Sequence, residues 1–319
     1  MQSFLLIGLE FLGLTTIGVA AVIVMLGYSA NRFSGTGFFN SHLPFIAGIM
    51  GFIILAVILL GLWQRLRRWL LYRSPLWPPV IVLGLALVIA GLAPPEFFSR
   101  GFLYYRVLVG GKEEASRVAL AHQVYAAYRR LKTEPLAKMV DRAGPYSAAI
   151  EEAAAVYGID GDLLKGLVAT ESSFLPRTSD DGGHGLFQIT QVPAAVTAAV
   201  NRLFPAKQRV LTDARYNAHL GAATLRHYLT EMKDDLFLGL LAYNIGPANG
   251  GLRFIMDQYG ATDFITIQPY LLQLPRDYPV RVLSYSLAFR IERQEGRLLA
   301  YEEGGNALRI QSLGIPGLR

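Results

Sequence analysis

"DGDLLKGLVATESSFLPRTSDDGGHGLFQIT", residues 160–190, is an apolar helical pattern that ends on an acid and runs into a glycine-rich turn. Asp160 suits a helix N-cap, because its side chain can accept from the unpaired N–H groups of the first turn. Leu164, Leu167, Val168 and Glu171 then recur at i, i+3, i+4 and i+7, so a helix over 160–173 places the carboxylate on its buried face. Burial disfavours the charged form of a carboxyl, which lets a glutamic acid keep a proton near neutral pH and deliver it to a leaving oxygen. The bland alternative is that Glu171 simply ends the helix and turns into water, and spacing alone does not separate the two. Gly182, Gly183 and Gly185 permit close backbone approach, and Gln188 in the following "GLFQI" can donate and accept. The turn therefore reads either as a plain connection or as one wall of a substrate groove.

Upstream the chain changes character. Residues 4–28, 43–63 and 76–93 are apolar runs, each long enough at about 1.5 Å per residue to be read as crossing a ~30 Å hydrocarbon core. Three transmembrane helices are expected, with Pro78 and Pro79 starting the third and Pro94 stopping it. Trp63, Trp69, Tyr72 and Trp77 stand near their ends, where amphipathic rings favour the headgroup region. The first run has no basic region before it and no clear cleavage site, so it reads as a retained helix rather than a signal peptide. Arg65, Arg67, Arg68 and Arg73 lie in one loop and should stay cytoplasmic, which puts the N-terminus inside and everything after residue 94 outside.

Charge follows the same division. Residues 1–111 carry seven Arg and two Glu, whereas the remainder carries 23 basic and 22 acidic residues, so the net charge of +6 is a topology signal. It argues against nucleic acid as a partner, since binding domains of that kind show a basic face. The absence of cysteine excludes disulfides, thiolate catalysis and Cys-ligated zinc, and fits an extracytoplasmic bacterial domain.

After the membrane, residues 96–111 are aromatic and apolar with two arginines, and 113–141 are amphipathic and helical, so 96–144 reads as an interfacial and helical linker. Helix-length patterns follow at 146–157, 160–173, 192–203, 213–232, 234–244, 248–258 and 278–295, with no long alternation of apolar and polar residues. The fold class is all-α, and only the tail, 296–319, suggests a hairpin around Gly304 and Gly305.

These segments resemble a known family, the lytic transglycosylases of the soluble type, with their goose-type-lysozyme-like catalytic domain. "PYSAAIEEAAAVYGIDGDLLKGLVATESSF" is similar to the family's opening helices and Glu-Ser signature, and "GHGLFQIT" to its Gly-Leu-Met-Gln segment. "DARYNAHLGAATLRHYL" is similar to its Asn-x-x-x-Gly helix, "LLAYNIGP" to its Ala-Tyr-Asn-x-Gly-Pro motif, and "YPVRVLSY" to its Tyr-Val-x-x-Val helix. Five short motifs in the right order, over residues 145–295, make the resemblance specific. It implies a membrane domain over 1–95 followed by a lysozyme-like, mainly α-helical domain that cleaves peptidoglycan without hydrolysis.

The resemblance also implies roles. Glu171 would protonate the oxygen between N-acetylmuramic acid and N-acetylglucosamine, then take the proton of the sugar's C6 hydroxyl as that hydroxyl closes a 1,6-anhydro ring. One carboxylate then suffices where glycosidases generally use two. Ser179 and Gln188 would contact the sugar, Tyr243 and Asn244 would shape the opposite wall, and Tyr278 would close the groove. Each has a plain alternative: Tyr243 as core, Asn244 as a helix-end residue, Tyr278 as a packing aromatic. The turn is one residue shorter than the family's usual spacing between Glu171 and Gly185. Phe187 stands for the usual methionine, Pro193 comes late, and Leu274 occupies a place where many members have a glutamate.

Asp180 and Asp181 are the nearby candidates for a second carboxylate, although aspartates at such positions generally start a turn. No cofactor is implied. His42, His122, His184, His219 and His227 are dispersed and form no HExxH arrangement, so no metal site is expected.

Two rivals stand beside the enzyme. Glu10 lies inside an apolar run, where an acid marks a functional or partner-contact hypothesis, or else an interfacial position. A wall-binding scaffold subunit of an envelope complex is therefore one rival, and a transporter with an accessory external domain the other. The expected location is the bacterial cytoplasmic membrane, with the domain periplasmic or otherwise extracytoplasmic, and peptidoglycan strands as the partner.

Overall fold

The computed structural model describes residues 2–33, 38–92, 95–180, 182–246, 252–260, 262–271 and 275–318. The chain forms two compact units, residues 1–118 and 119–319.

In the first unit, α1 (Gln2–Arg32) and α2 (Leu43–Leu71) are long and apolar, each able to cross a bilayer by length and composition. Phe4, Phe11, Ile54, Val57 and Leu60 are each more than half exposed, a surface that water penalises and hydrocarbon does not. The third expected crossing is corrected. α3 (Trp77–Leu92) has 16 residues and reaches about 24 Å, short of the ~30 Å core. Among the described residues two helices, not three, have the length and composition of a span.

Glu10 resolves into an internal ion pair. It is 6% exposed, and its carboxylate accepts from Arg67 Nε at 2.8 and 3.0 Å and from Trp63 Nε1 at 3.1 Å. A charge in an apolar helix requires such partners, and this one ties α1 to α2. Small residues set the other contacts of α1. A Cβ on Gly13 would lie 2.5 Å from Val82 Cγ1 of α3, and one on Gly27 would overlap the Gly101 carbonyl in α4 (Pro95–Arg129). Tyr28 stacks on Phe97 at 4.7 Å and donates to its carbonyl at 3.0 Å. Thus α3 and the first turns of α4 follow α1 in the same direction, from Gly13 to Gly27.

The expected linker over 96–144 is not a separate segment. α4 breaks from helical geometry at Gly111, with φ 59° and ψ −138°, which glycine tolerates. Glu114 pairs with Arg106 at 3.0 Å and Arg117 at 2.8 Å around that break.

The second unit is built on α7 and the helices around it. α5 (Thr133–Ala143), α6 (Ser147–Tyr157) and α7 (Gly161–Glu171) are followed by a two-stranded antiparallel hairpin, β1 (Arg177–Thr178) and β2 (His184–Gly185). This small sheet departs from the all-α expectation. It is too short to show as alternation, because two residues complete each strand. α8 (Ala194–Asn201), α9 (Ala214–Glu231), α10 (Leu236–Ile245), α11 (Leu252–Tyr259), α12 (Phe264–Ile267) and α13 (Tyr278–Glu295) complete the layer.

Asp160 caps α7 as its sequence position suggested, accepting from Asp162 N at 2.9 Å and Leu163 N at 3.4 Å. Leu164, Leu167 and Val168 are fully buried against α13. Gly166 makes that packing close, since a Cβ there would overlap Ser286 and the Val282 carbonyl. The far end of α13 is tied to the start of α7 by Arg290 with Asp160 and by Arg293 with Asp162.

The tail forms no hairpin. Residues 301–305 turn, with Gly304 at φ 52°, and the chain continues as α14 (Asn306–Leu313). Ile310 of α14 joins Tyr128, Leu136, Leu287, Ile291 and Leu299 in a second, smaller core behind α13. The tail therefore belongs to the second unit.

Candidate functional site

Glu171 is the last residue of α7 and is half-buried rather than turned fully into water. Its helix ends there because Ser173 and Phe174 adopt left-handed backbone, φ 53° and 58°, and Phe174 drops into the core at 2% exposure. The carboxylate accepts a hydrogen bond from the Tyr278 hydroxyl. Tyr278 opens α13, is 1% exposed, and arrives beside Glu171 because α7 and α13 pack along each other. Burial raises the Tyr278 hydroxyl pKa well above its ordinary value, with the Glu171 charge adding to the rise. The hydroxyl therefore stays protonated. It can donate to a carboxylate and equally accept from a carboxylic acid, so it suits both states of Glu171.

The glycine turn, between β1 and β2, is closed by side chains on either side of it. Ser179 Oγ accepts from Gly183 N at 2.9 Å, and Ser179 N donates to the Gly183 carbonyl at 2.9 Å, so the hydroxyl closes the turn. Gln188 takes left-handed backbone at φ 45°, and its amide donates to the carbonyls of Gly185 at 2.7 Å and Arg177 at 2.9 Å. A Cβ on Gly183 would lie 2.7 Å from Ser179 Oγ and 2.8 Å from Gln188 Oε1, so only glycine lets these two side chains meet there.

Tyr243, on α10, donates to the Phe187 carbonyl at 3.0 Å and carries a hydroxyl pKa raised well above normal by burial and then by Glu171. Both tyrosines therefore sense the carboxylate, one by direct contact. Asn244 is exposed in the last turn of α10. The structure thus gathers Glu171, Tyr278 and Tyr243, and sets Ser179 and Gln188 around Gly183, whereas among the described residues no hydrogen bond ties Asn244 to them. Asp180 is exposed, and His184 is half-buried with Nδ1 3.1 Å from Thr178 Oγ1. Asp181, Leu274 and the Pro247 of the "LLAYNIGP" motif lie outside the described residues.

Two residues that sequence reasoning named only within a motif hold the turn in place. Asn217, fully buried on α9, accepts from Phe187 N at 2.9 Å and donates to the carbonyls of His184 at 2.9 Å and Leu211 at 3.0 Å. Four residues on, Gly221 leaves room for the Phe187 ring, which any Cβ there would overlap. The available signal was an amide inside a helix face otherwise filled with apolar side chains, since such a group must satisfy its hydrogen bonds locally.

With that geometry in place, comparison with known proteins is informative. Residues 148–258 match a family model described as the transglycosylase SLT domain. Over those residues the chain is similar to that domain. The match begins within α6 and takes in Glu171, the glycine turn, Asn217, Gly221 and Tyr243. A curated relative, membrane-bound lytic murein transglycosylase F 1 of Alkalilimnicola ehrlichii, is 32% identical over 115 residues, covering 34% of this chain and 22% of the relative. The chain thus aligns with about a fifth of that relative's length. Among solved structures, an inactive mutant of lytic transglycosylase Slt from Pseudomonas aeruginosa is 18% identical with a TM-score of 0.41, covering 67% of this chain and 37% of that one. The 70 kDa soluble lytic transglycosylase of Escherichia coli is 18% identical with a TM-score of 0.40, covering 71% and 38%.

Proposed function

We propose that this chain is a membrane-anchored peptidoglycan lytic transglycosylase in which Glu171 acts first as acid and then as base. The observation that carries the reading is the bond between Tyr278 and Glu171, the acid that ends a helix lying within the residues matched to the SLT domain. Glu171 protonates the glycosidic oxygen of the bond between N-acetylmuramic acid and N-acetylglucosamine. As a carboxylate it then accepts the proton of the C6 hydroxyl, whose oxygen attacks C1 and closes a 1,6-anhydro ring. The proton delivered in the first step is regained in the second, so no water is consumed. Tyr278 serves as a partner in both states, which supports one group doing both tasks. Ser179, Gln188, Tyr243 and Asn244 line the sugar-binding groove in this reading.

Two helices long and apolar enough to cross a membrane support the anchoring. In this reading the domain over residues 148–258 lies on the side of the membrane where peptidoglycan is found, with the loop of Arg65, Arg67, Arg68 and Arg73 on the cytoplasmic side.

The test is release of soluble fragments from purified sacculi by the full-length protein in detergent, beside its Glu171→Gln form. Release by the first and not the second is expected. Equal release, or binding to sacculi with no release by either, overturns the reading in favour of other residues or of a wall-binding scaffold.

A further inference from the structure

Three arginines lie on α13, and two of them are spoken for: Arg290 pairs with Asp160 and Arg293 with Asp162. The third, Arg281, stands one turn after Tyr278. It is exposed, and its guanidinium carbon lies 5.9 Å from the centre of the Tyr278 ring. Among the described residues no carboxylate lies within ion-pair distance of it. Its charge nevertheless reaches the site, since it is what works against the rise of the Tyr278 hydroxyl pKa.

An exposed guanidinium within cation–π reach of a ring keeps N–H groups to offer, in a fork that fits a carboxylate. An unpaired cation on the rim of a groove also concentrates anions there. The substrate class supplies the matching group. A muramyl residue bears a lactyl ether whose carboxyl is amide-linked to a peptide, and that peptide carries carboxylates of its own.

We propose that Arg281 binds a carboxylate on the peptide arm of the muramyl substrate and makes the enzyme prefer anionic over amidated murein. The inference rests on the reading of Glu171 given above and adds a specificity-determining residue to it. Arg281 changes no bond in the reaction; it raises the affinity of strands that carry the charge.

The experiment measures binding of soluble murein strands to the full-length Glu171→Gln protein in detergent, so that strands are not consumed. One strand preparation keeps its peptide carboxylates and the other has them converted to amides. Free-carboxylate strands are expected to bind about tenfold tighter, the size of one charge-assisted contact, with the advantage shrinking as salt is added. Adding Arg281→Gln should abolish the difference by weakening only the anionic strands, and Arg281→Lys should restore part of it. Equal affinity for both preparations, or equal weakening of both by Arg281→Gln, overturns the proposal, the second outcome indicating a structural role against Tyr278. If Glu171-dependent cleavage persists alongside either result, the reading of Glu171 stands without it. Strands that bind neither form and are not cleaved by the wild-type protein overturn both.

Discussion

Glu171 and Tyr278 come from helices 107 residues apart in sequence, yet their contact is what turns a helix-end acid into a candidate proton carrier. Glu171→Gln keeps the side chain's shape and can no longer move a proton. Turnover on soluble murein strands should fall by about 10³-fold, within the usual range for a general acid and base, with little change in thermal midpoint. Tyr278→Phe removes only the hydroxyl. A smaller loss, about tenfold, is expected in kcat, with the ring still filling its buried place. A loss as large as that of Glu171→Gln would mean that Tyr278 itself transfers the proton. The sequence made Glu171 legible because 3.6-residue spacing put it on the face of Leu164, Leu167 and Val168. Tyr278 was named only through resemblance, as closing the groove, since a bond across 107 residues leaves no local pattern. The sugar contacts expected of Ser179 and Gln188 came only through resemblance; that they close the turn and bond backbone carbonyls follows from the backbone path around Gly183.

Beyond its own hydrogen bonds, the glycine turn is held from α9. Asn217→Ala would leave Phe187 N and the carbonyls of His184 and Leu211 short of partners in a buried place, a cost of about 2–4 kcal/mol. Gly221→Ala forces a methyl into the Phe187 ring and should cost about 1–3 kcal/mol. Denaturant unfolding of both variants checks these values, and unchanged stability of Asn217→Ala would contradict the role assigned to it. α9 also carries His219, 2% exposed between Tyr157 and Phe204, with its pKa lowered mainly by burial and raised in part by Glu152. Unfolded chains take up a proton near pH 6.5, whereas the folded group does so only at lower pH. His219 therefore stabilises the fold fully above pH 6.5, and that contribution is lost as pH falls below it. The stability difference between wild type and His219→Gln should change across that window and stay flat above it. Helix periods in the sequence located most of these elements within a few residues. The tail misled because Gly304 and Gly305 suit a hairpin turn equally well, and only the burial of Ile310 beside Leu287 and Ile291 favours a helix.

At the scale of the molecule, the helices of the first unit are held to one another by one buried ion pair and by close contacts at Gly13 and Gly27. Arg67→Gln leaves Glu10 buried without its cation and should cost about 3–5 kcal/mol, read as a lower thermal midpoint in detergent. Glu10→Gln with Arg67→Gln together should recover much of that loss; no recovery would mean that the two do not act as a pair. Composition pointed to membrane segments at once, but run length alone gave three where two helices among the described residues qualify, because α3 carries an apolar run of only 16 helical residues. The central claim is that one carboxylate cleaves murein without water. Its most direct test is mass spectrometry of the muropeptide ends formed by the full-length protein and by Glu171→Gln. The account predicts products one water lighter than hydrolysis gives, ending in 1,6-anhydro rings, and none from the variant. Ordinary reducing ends, or anhydro ends that survive the loss of Glu171, would contradict it.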